Sequence, residues 1–448
     1  MDAPDRPDQQ DQVGQPEQPD RAGRISADWV LTGASRLVTL APGASAGAAG
    51  PLGMIERGAL AARDGRIVWI GPEAALPAFV ELAAVPAAAR LDAAGRAVLP
   101  GFVDSHTHFV FAGTRAAEFQ LRHAGASYEE IARQGGGILT TVRATRQATF
   151  EALRALARDR LRSFAAHGTT TVEGKTGYGL DLASEARCLD VMLDLASEPG
   201  LPRVVPTFLG AHTIPPELRD SPDGRAAYVD LVCDAMLPTF AGRARFCDVF
   251  CERTAFTVPE TRRIFKRARD LGYALKLHAD QLSDFGSARL AAAFGAVSAD
   301  HLDFTTPDDL ARLRDAGVTA TLLPGCSFSL STPYPAARRF YDAGLRVALA
   351  TDFNPGTSYC ENMQMMIALA VSAMGISLDE ALYAATLGGA AALGMTGEVG
   401  SLELGKRCDL VVLQTPDERE LAYHFGVNLV AHTVIGARLA DISSLQSS

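Results

Sequence analysis

The chain has 448 residues, 48% hydrophobic and 21% charged, with 42 basic against 52 acidic side chains and a formal net charge of -10. This is a globular composition, and an acidic balance without clustered Lys and Arg excludes a surface built to hold nucleic-acid phosphates. No run approaches the ~18 consecutive apolar residues of a membrane helix, and residues 1–27 lack the basic start and apolar middle of a signal peptide, so a cytoplasmic protein without membrane contact is expected.

Residues 1–24 are rich in Asp, Gln and Pro and nearly empty of aliphatic side chains, which predicts a disordered tail. From Trp29 the pattern changes to short β-like runs (29–40, 59–70 and 90–99), broken by turn signals such as Asp64-Gly65. Matching runs at 400–413 and 428–439 end the chain, so residues 25–99 and 396–448 are expected to pair into one small composite β-sandwich. Between them, residues 100–395 alternate apolar strands with amphipathic helices, the pattern of repeated βα units. Strand ends fall near Asp104, Glu173, Phe208, Cys251, His278, His301, Leu323 and Asp352, and helical patterns lie at 151–166, 185–196 and 257–271. Two helix starts carry capping boxes, Thr257-Val-Pro-Glu260 and Ser377-Leu-Asp-Glu380. Eight parallel strands inside a ring of helices predict an α/β fold of the (β/α)8, TIM-like type.

The chemistry-bearing residues cluster at the strand ends. Asp104-Ser-His106-Thr-His108 follows an apolar run, and the period of two along an extended chain sends both imidazoles the same way, so they can grip one metal ion. His278, His301 and Asp352 also close apolar runs, on the side where barrel enzymes carry their active sites. Three imidazoles and a carboxylate suit zinc or iron, and His106, His108, His278 and Asp352 are the expected ligands. An ion so held brings the pKa of its water from 15.7 to roughly 7, which points to hydrolysis. Asp352 can also move the water proton, and His301 can polarise the electrophile or shuttle protons. Gly135-Gly-Gly137 lacks the phosphate-loop patterns and reads as a hinge or a close backbone contact, while Arg143 and Arg146 read as anion attractors or as a solvated helix face. The seven cysteines (Cys188, Cys233, Cys247, Cys251, Cys326, Cys360 and Cys408) are scattered and odd in number, which predicts buried thiols in place of a disulfide framework.

Pro100-Gly-Phe-Val-Asp-Ser-His-Thr-His108, with one His after strand five, another after strand six and an Asp after strand eight, resembles the amidohydrolase superfamily. The resemblance implies a metal-dependent barrel with a small β-sandwich built from both chain ends, and a homodimer. Many binuclear members carry a carboxylated Lys at the end of strand four. This chain reads Cys251-Glu252 there, with Lys175 at the end of strand two, so one Zn2+ or Fe3+ per subunit is expected. Segments through most of the barrel resemble one branch of that superfamily: His108-Phe-Val-Phe-Ala-Gly-Thr-Arg115, Glu173-Gly-Lys-Thr-Gly-Tyr-Gly-Leu180, Leu209-Gly-Ala-His212, His278-Ala-Asp-Gln281 and Thr351-Asp-Phe-Asn-Pro-Gly-Thr357. The branch opens the ring amide of 4-imidazolone-5-propanoate to N-formimidoyl-L-glutamate in histidine degradation.

The resemblance then implies substrate contacts at Arg115, Tyr178, His212, Gln281, Asn354, Gly356 and Thr357. A propionate tail calls for a planar, doubly donating cation, which Arg115 supplies. Some relatives carry Glu where this chain has Gln281, which is expected to position the ring instead of serving as a base. Two alternatives remain at this level: another amidohydrolase or nucleobase aminohydrolase with the same metal set, and a non-catalytic scaffold of the same fold. The presence of all four expected ligands speaks against the scaffold.

Overall fold

The computed structural model describes residues 24–41, 50–125, 136–219 and 221–442. The expected tail, apart from Arg24, and Gly135 of the glycine run lie outside the described residues.

Eight strands lie side by side in chain order: β1 (Phe102–Asp104), β2 (Thr169–Lys175), β3 (Arg203–Ala211), β4 (Phe246–Cys251), β5 (Ala274–Ala279), β6 (Ser298–His301), β7 (Thr319–Leu322) and β8 (Val347–Leu349). Every neighbouring pair is parallel. The ring closes between the segments that follow β1 and β8. There Thr107 bridges Phe353, the His108 N–H donates to the Phe353 carbonyl at 2.8 Å, and Asp104 accepts from the Thr351 N–H and hydroxyl at 3.1 and 2.6 Å. The eight-stranded barrel expected from the sequence is the observed fold, with strand ends displaced by a few residues. Thus β8 stops at Leu349, short of Asp352, because the backbone turns into the left-handed region at Asp352 with φ +51°.

Helices cover the outside, and both capping boxes form, at Thr257/Glu260 and Ser377/Glu380. The helix Phe150–Ala166 starts at Thr149, whose hydroxyl accepts from the Ala152 N–H, and buries Leu153, Ala157, Arg160, Leu161 and Phe164 at helical spacing. Arg160 is the informative member. Its guanidinium donates to the carbonyls of Phe109 and Phe111 at 2.8 and 2.7 Å and lies 3.5 Å from the centre of the Phe111 ring. One buried cation thereby pins the segment that follows the two candidate ligands of β1; charged hydrogen bonds of this kind contribute about 1.5–3 kcal/mol each.

The chain ends form two further sheets. A six-stranded sheet runs Arg438–Leu439, Val430–Ile435, Leu410–Leu413, Val98–Pro100, Arg36–Val38 and Met54–Glu56, so it mixes strands from both ends. A four-stranded sheet of Arg66–Pro72, Gly58–Arg63, Trp29–Thr32 and Arg90–Asp92 shares one apolar core with it, containing Leu31, Leu60 and Ile67 with Leu37, Val98, Leu410 and Val434. Asp64 and Gly65, at φ +53° and +75°, make the tight hairpin turn that their dipeptide signals. Val98–Pro100 leads through Gly101 directly into β1, so this packed unit feeds the first barrel strand. Among the described residues no helix is long and apolar enough to cross a membrane, and all seven cysteines are free.

Candidate metal centre and active site

In most barrels of this type branched apolar side chains fill the interior. Here the inward positions are charged. Lys175 of β2 donates to Glu173 of the same strand at 2.8 Å and to Asp248 of β4 at 2.7 Å, and lies 3.6 Å from Asp300 of β6. Lys276 of β5 donates to the Ser105 carbonyl at 3.1 Å and stands 3.9 and 3.8 Å from Glu173 and Asp300. All five side chains are fully buried. Burial opposes the charge on each, yet three carboxylates outweigh it at Lys175 and raise its pKa, and the two ammoniums outweigh it at Asp300 and lower its pKa. Lys175 is thus held inside this network, away from the role of a bridging ligand.

The network supports the histidines above it. Asp300 Oδ2 lies 2.6 Å from His106 Nδ1, and Asp248 Oδ2 lies 3.1 Å from His278 Nδ1. An ionised carboxylate only accepts, so the His106 proton sits on Nδ1 and its Nε2 keeps a free lone pair. That Nε2 has no hydrogen-bond partner and stands 3.5 Å from Asp352 Oδ1, with His108 Nε2 3.8 Å from the same oxygen. The His106 and His278 rings are 4.4 Å apart, and His301 lies 5.5 and 5.4 Å from them. Burial first, then neighbouring charges, hold His106, His108 and His301 well below the usual imidazole range, so they are neutral and able to donate lone pairs. Burial likewise pushes Asp352 up to about 7. Buried neutral imidazoles with an orphaned nitrogen, facing a carboxylate short of counter-charge, fit a divalent transition ion.

His301 and Asp352 both have left-handed backbones, φ +76° and +51°. Such strain at a non-glycine residue persists only where its surroundings enforce it.

Above this floor opens a cavity of about 870 Å3. It brings together His108, His278, His301 and Asp352 with every residue that the resemblance assigned to substrate: Arg115, Tyr178, His212, Gln281, Asn354, Gly356 and Thr357. His106 sits beneath, fully buried. His212 stacks on His108 at 5.2 Å, and burial lowers its pKa to about 3. Its Nδ1 donates to the Gly177 carbonyl at 3.1 Å, leaving Nε2 as an acceptor. Gly177, at φ +106°, is required: a Cβ there would lie 2.7 Å from the Leu209 carbonyl oxygen. Arg115 Nε donates to Glu118 at 2.8 Å, and a Cβ at Gly356 would meet Arg115 Nη1 at 2.2 Å, so the missing side chain admits the guanidinium. Asn354 organises the last loop: its Oδ1 accepts from the N–H groups of Gly356 and Thr357, both at 2.8 Å, and its Nδ2 donates to Thr357 Oγ1 at 2.8 Å.

Several contributors escaped the sequence reading. Arg122 lines the cavity beside Arg115 and donates to the Gly356 and Ser329 carbonyls at 3.3 Å each. Asp248, Asp300 and Lys276 lie beneath the histidines. A signal existed for Lys276 and Asp300, namely polar residues two apart in apolar strands, as in Lys276/His278 and Ser298/Asp300, whereas Asp248 stands alone between Phe246 and Phe250. Glu252 accepts from the N–H groups of Leu282 and Ser283, and Asp280 from the Ser287 hydroxyl, so both carboxylates brace the loop that carries Gln281. Arg146 is no free anion attractor: it donates to the Gly179 carbonyl and pairs with Asp181 and Glu217 at 3.1 and 2.9 Å, holding the loop after β2.

Fold and site together define a hydrolase of the amidohydrolase class, and the model of the amidohydrolase family matches residues 97–440. The curated imidazolonepropionase of Symbiobacterium thermophilum is 50% identical over 417 residues, spanning 92% of this chain and 97% of the relative. That of Salinispora arenicola is 49% identical over 384 residues, 85% of this chain and 92% of the relative. The chain therefore belongs to the amidohydrolase family, in its imidazolonepropionase branch. Among solved structures, a zinc-bound adenosine deaminase of Xanthomonas campestris superposes with a TM-score of 0.67 at 20% identity, covering 95% of this chain and 97% of that one. A zinc complex of atrazine chlorohydrolase from Arthrobacter aurescens gives 0.67 at 16%, covering 94% and 98%. These two likenesses speak to the fold.

Proposed function

We propose that this chain hydrolyses the ring amide C–N bond of 4-imidazolone-5-propanoate to give N-formimidoyl-L-glutamate, a step of histidine degradation. The observation that carries the reading is the cavity in which a buried imidazole–carboxylate floor meets Arg115 and Arg122. Near-50% identity to imidazolonepropionases over most of the chain supports it. In this reading His106, His108, His278 and Asp352 hold one Zn2+ or Fe3+ ion. When bound, that ion supplies an activated water at neutral pH and polarisation of the ring carbonyl.

The protein's own residues do the rest. Arg115 receives the propionate through its Nη groups, with Arg122 adding positive charge behind it. Tyr178, His212 and Gln281 orient the ring so that the carbonyl faces the floor. Asp352 takes the proton of the attacking water and delivers it to the departing ring nitrogen, and His301 donates to the oxygen on which charge develops. Thr357 Oγ1, 3.4 Å from Asp352 Oδ2, steadies that carboxylate. A homodimer and a cytoplasmic address complete the proposal, with the family resemblance as their support.

The test is the loss of imidazolonepropionate absorbance on adding purified protein, with product identification and a chelated, metal-restored control. Metal-dependent formation of N-formimidoyl-L-glutamate is expected; no turnover by metal-loaded protein would move the function to another amidohydrolase. Within that assay Arg115→Ala is expected to raise KM about 10–100-fold and leave kcat far less changed, as for loss of a charged hydrogen bond made equally in ground and transition states. An unchanged KM would place the tail contact elsewhere.

A further inference from the structure

We propose that His301, Cys326 and Asp352 form a second, inhibitory site for a soft divalent ion beside the centre described above, an inference that rests on the reading of that centre. One ligating atom from each of the three residues lies within 4.8 Å of the others, and all three residues are buried. They come from adjacent parts of the barrel mouth: the end of β6, the helix Pro324–Leu330 that follows β7, and the loop after β8. Among the described residues Cys326 is the one cysteine that joins such a group. The catalytic proposal leaves its thiol unused. Its Sγ accepts from Gln281 Nε2 at 3.8 Å and also pairs with the Thr357 side chain, two residues that line the substrate cavity, so the sulfur lies directly behind that polar wall.

The donor set decides which ion fits. A thiolate, an imidazole and a carboxylate select zinc and its softer neighbours over magnesium or calcium. Zn–S and Zn–N bonds of about 2.3 and 2.0 Å put two donors of one tetrahedral ion roughly 3.5 Å apart, so small side-chain movements complete the site. Binding replaces the thiol proton, which leaves to solvent, and forms a metal–sulfur bond without change of oxidation state. Asp352 also belongs to the group with His106 and His108, so the two sites share a carboxylate. An ion in the second site takes the lone pair of His301 and one oxygen of Asp352, the groups assigned to the developing oxyanion and to proton transfer. Excess zinc therefore stops turnover while the first ion stays in place.

The experiment loads wild-type protein and Cys326→Ala with one equivalent of zinc, then raises free zinc while bound metal and turnover are both followed. The wild type is expected to take up a second equivalent and lose turnover by about a hundredfold or more, the loss that follows removal of acid–base help. Cys326→Ala is expected to stop at one equivalent and keep its turnover at the same zinc concentration. Cobalt(II) provides a readout apart from activity, because a second equivalent on the wild type brings a thiolate-to-cobalt charge-transfer band that the variant lacks. Cys326→Ser, closer in volume, gives the same comparison if the alanine variant does not fold. Inhibition that persists unchanged in the variants, or a second equivalent without the thiolate band, would overturn the proposal. A singly loaded wild type that ignores imidazolonepropionate would refute the reading of the main centre, whereas the cobalt band would still decide this one.

Discussion

Asp352→Asn is expected to cut turnover by about 10^4-fold while the fold survives, the upper end of what a positioned acid–base group contributes. Two losses combine in this variant. The amide is a poor ligand where the carboxylate stood against His106 and His108 at 3.5 and 3.8 Å, and it cannot carry the proton from water to leaving nitrogen. Asparagine is the informative substitution because Asp352 has φ +51°, a conformation that Asn tolerates and that adds about 1–2 kcal/mol of strain for most other residues. The neutral amide also resembles the protonated acid favoured when the site lacks its ion, since burial lifts Asp352 to about 7. An unfolded-state Asp ionises above about pH 4 whereas the buried one must stay protonated, so metal-free wild type is expected to melt below the metal-free variant at pH 6 and to approach it below about pH 4. Measured kcat then separates chemistry from folding, and turnover within tenfold of wild type would remove Asp352 from the mechanism.

Asp300→Asn is expected to weaken metal affinity about 10–100-fold, the usual effect of losing a carboxylate behind a ligating histidine. The 2.6 Å contact to His106 Nδ1 fixes both the ring orientation and the tautomer that leaves Nε2 free. Asn keeps an acceptor of the same shape but loses the charge, and it can present its amide N–H to the ring and reverse the tautomer. Asp300 also lies 3.6 and 3.8 Å from Lys175 and Lys276, so the variant leaves two ammoniums facing only Glu173 and Asp248. Breaking a buried pair costs about 3–5 kcal/mol, and a lower Tm is expected alongside. Competition with a chelator distinguishes positioning from packing: a positioning role predicts weaker binding, and turnover largely restored by added metal on a Cys326→Ala background, where excess metal is not inhibitory. Unchanged affinity with a lowered Tm would reduce Asp300 to a purely structural part of the barrel.

Both variants test residues that the sequence exposes to different degrees. Asp352 ends an apolar run and is followed by a turn, so it stood out beside His106, His108, His278 and His301. Asp300 stands next to His301 and carries no role of its own in the sequence. Its role needs the barrel to be closed, because its partner His106 is 194 positions away along the chain. Arg122 carries no signal in the sequence, and Cys326 reads as one more buried thiol.

The sequence by itself determined the alternation of strands and helices, the two capping boxes, and the set of imidazoles and carboxylate at strand ends. These are local properties: a period of two or of 3.6, and a residue type at the point where a run stops. Only the tertiary structure decided which of those ends meet and what lies beneath them. The charged interior of Glu173, Lys175, Asp248, Lys276 and Asp300 arises from the register of four different strands, which spacing along the chain does not encode. Register is settled by packing across the whole sheet, and it is register that turns five scattered charges into the support on which His106 and His278 are held.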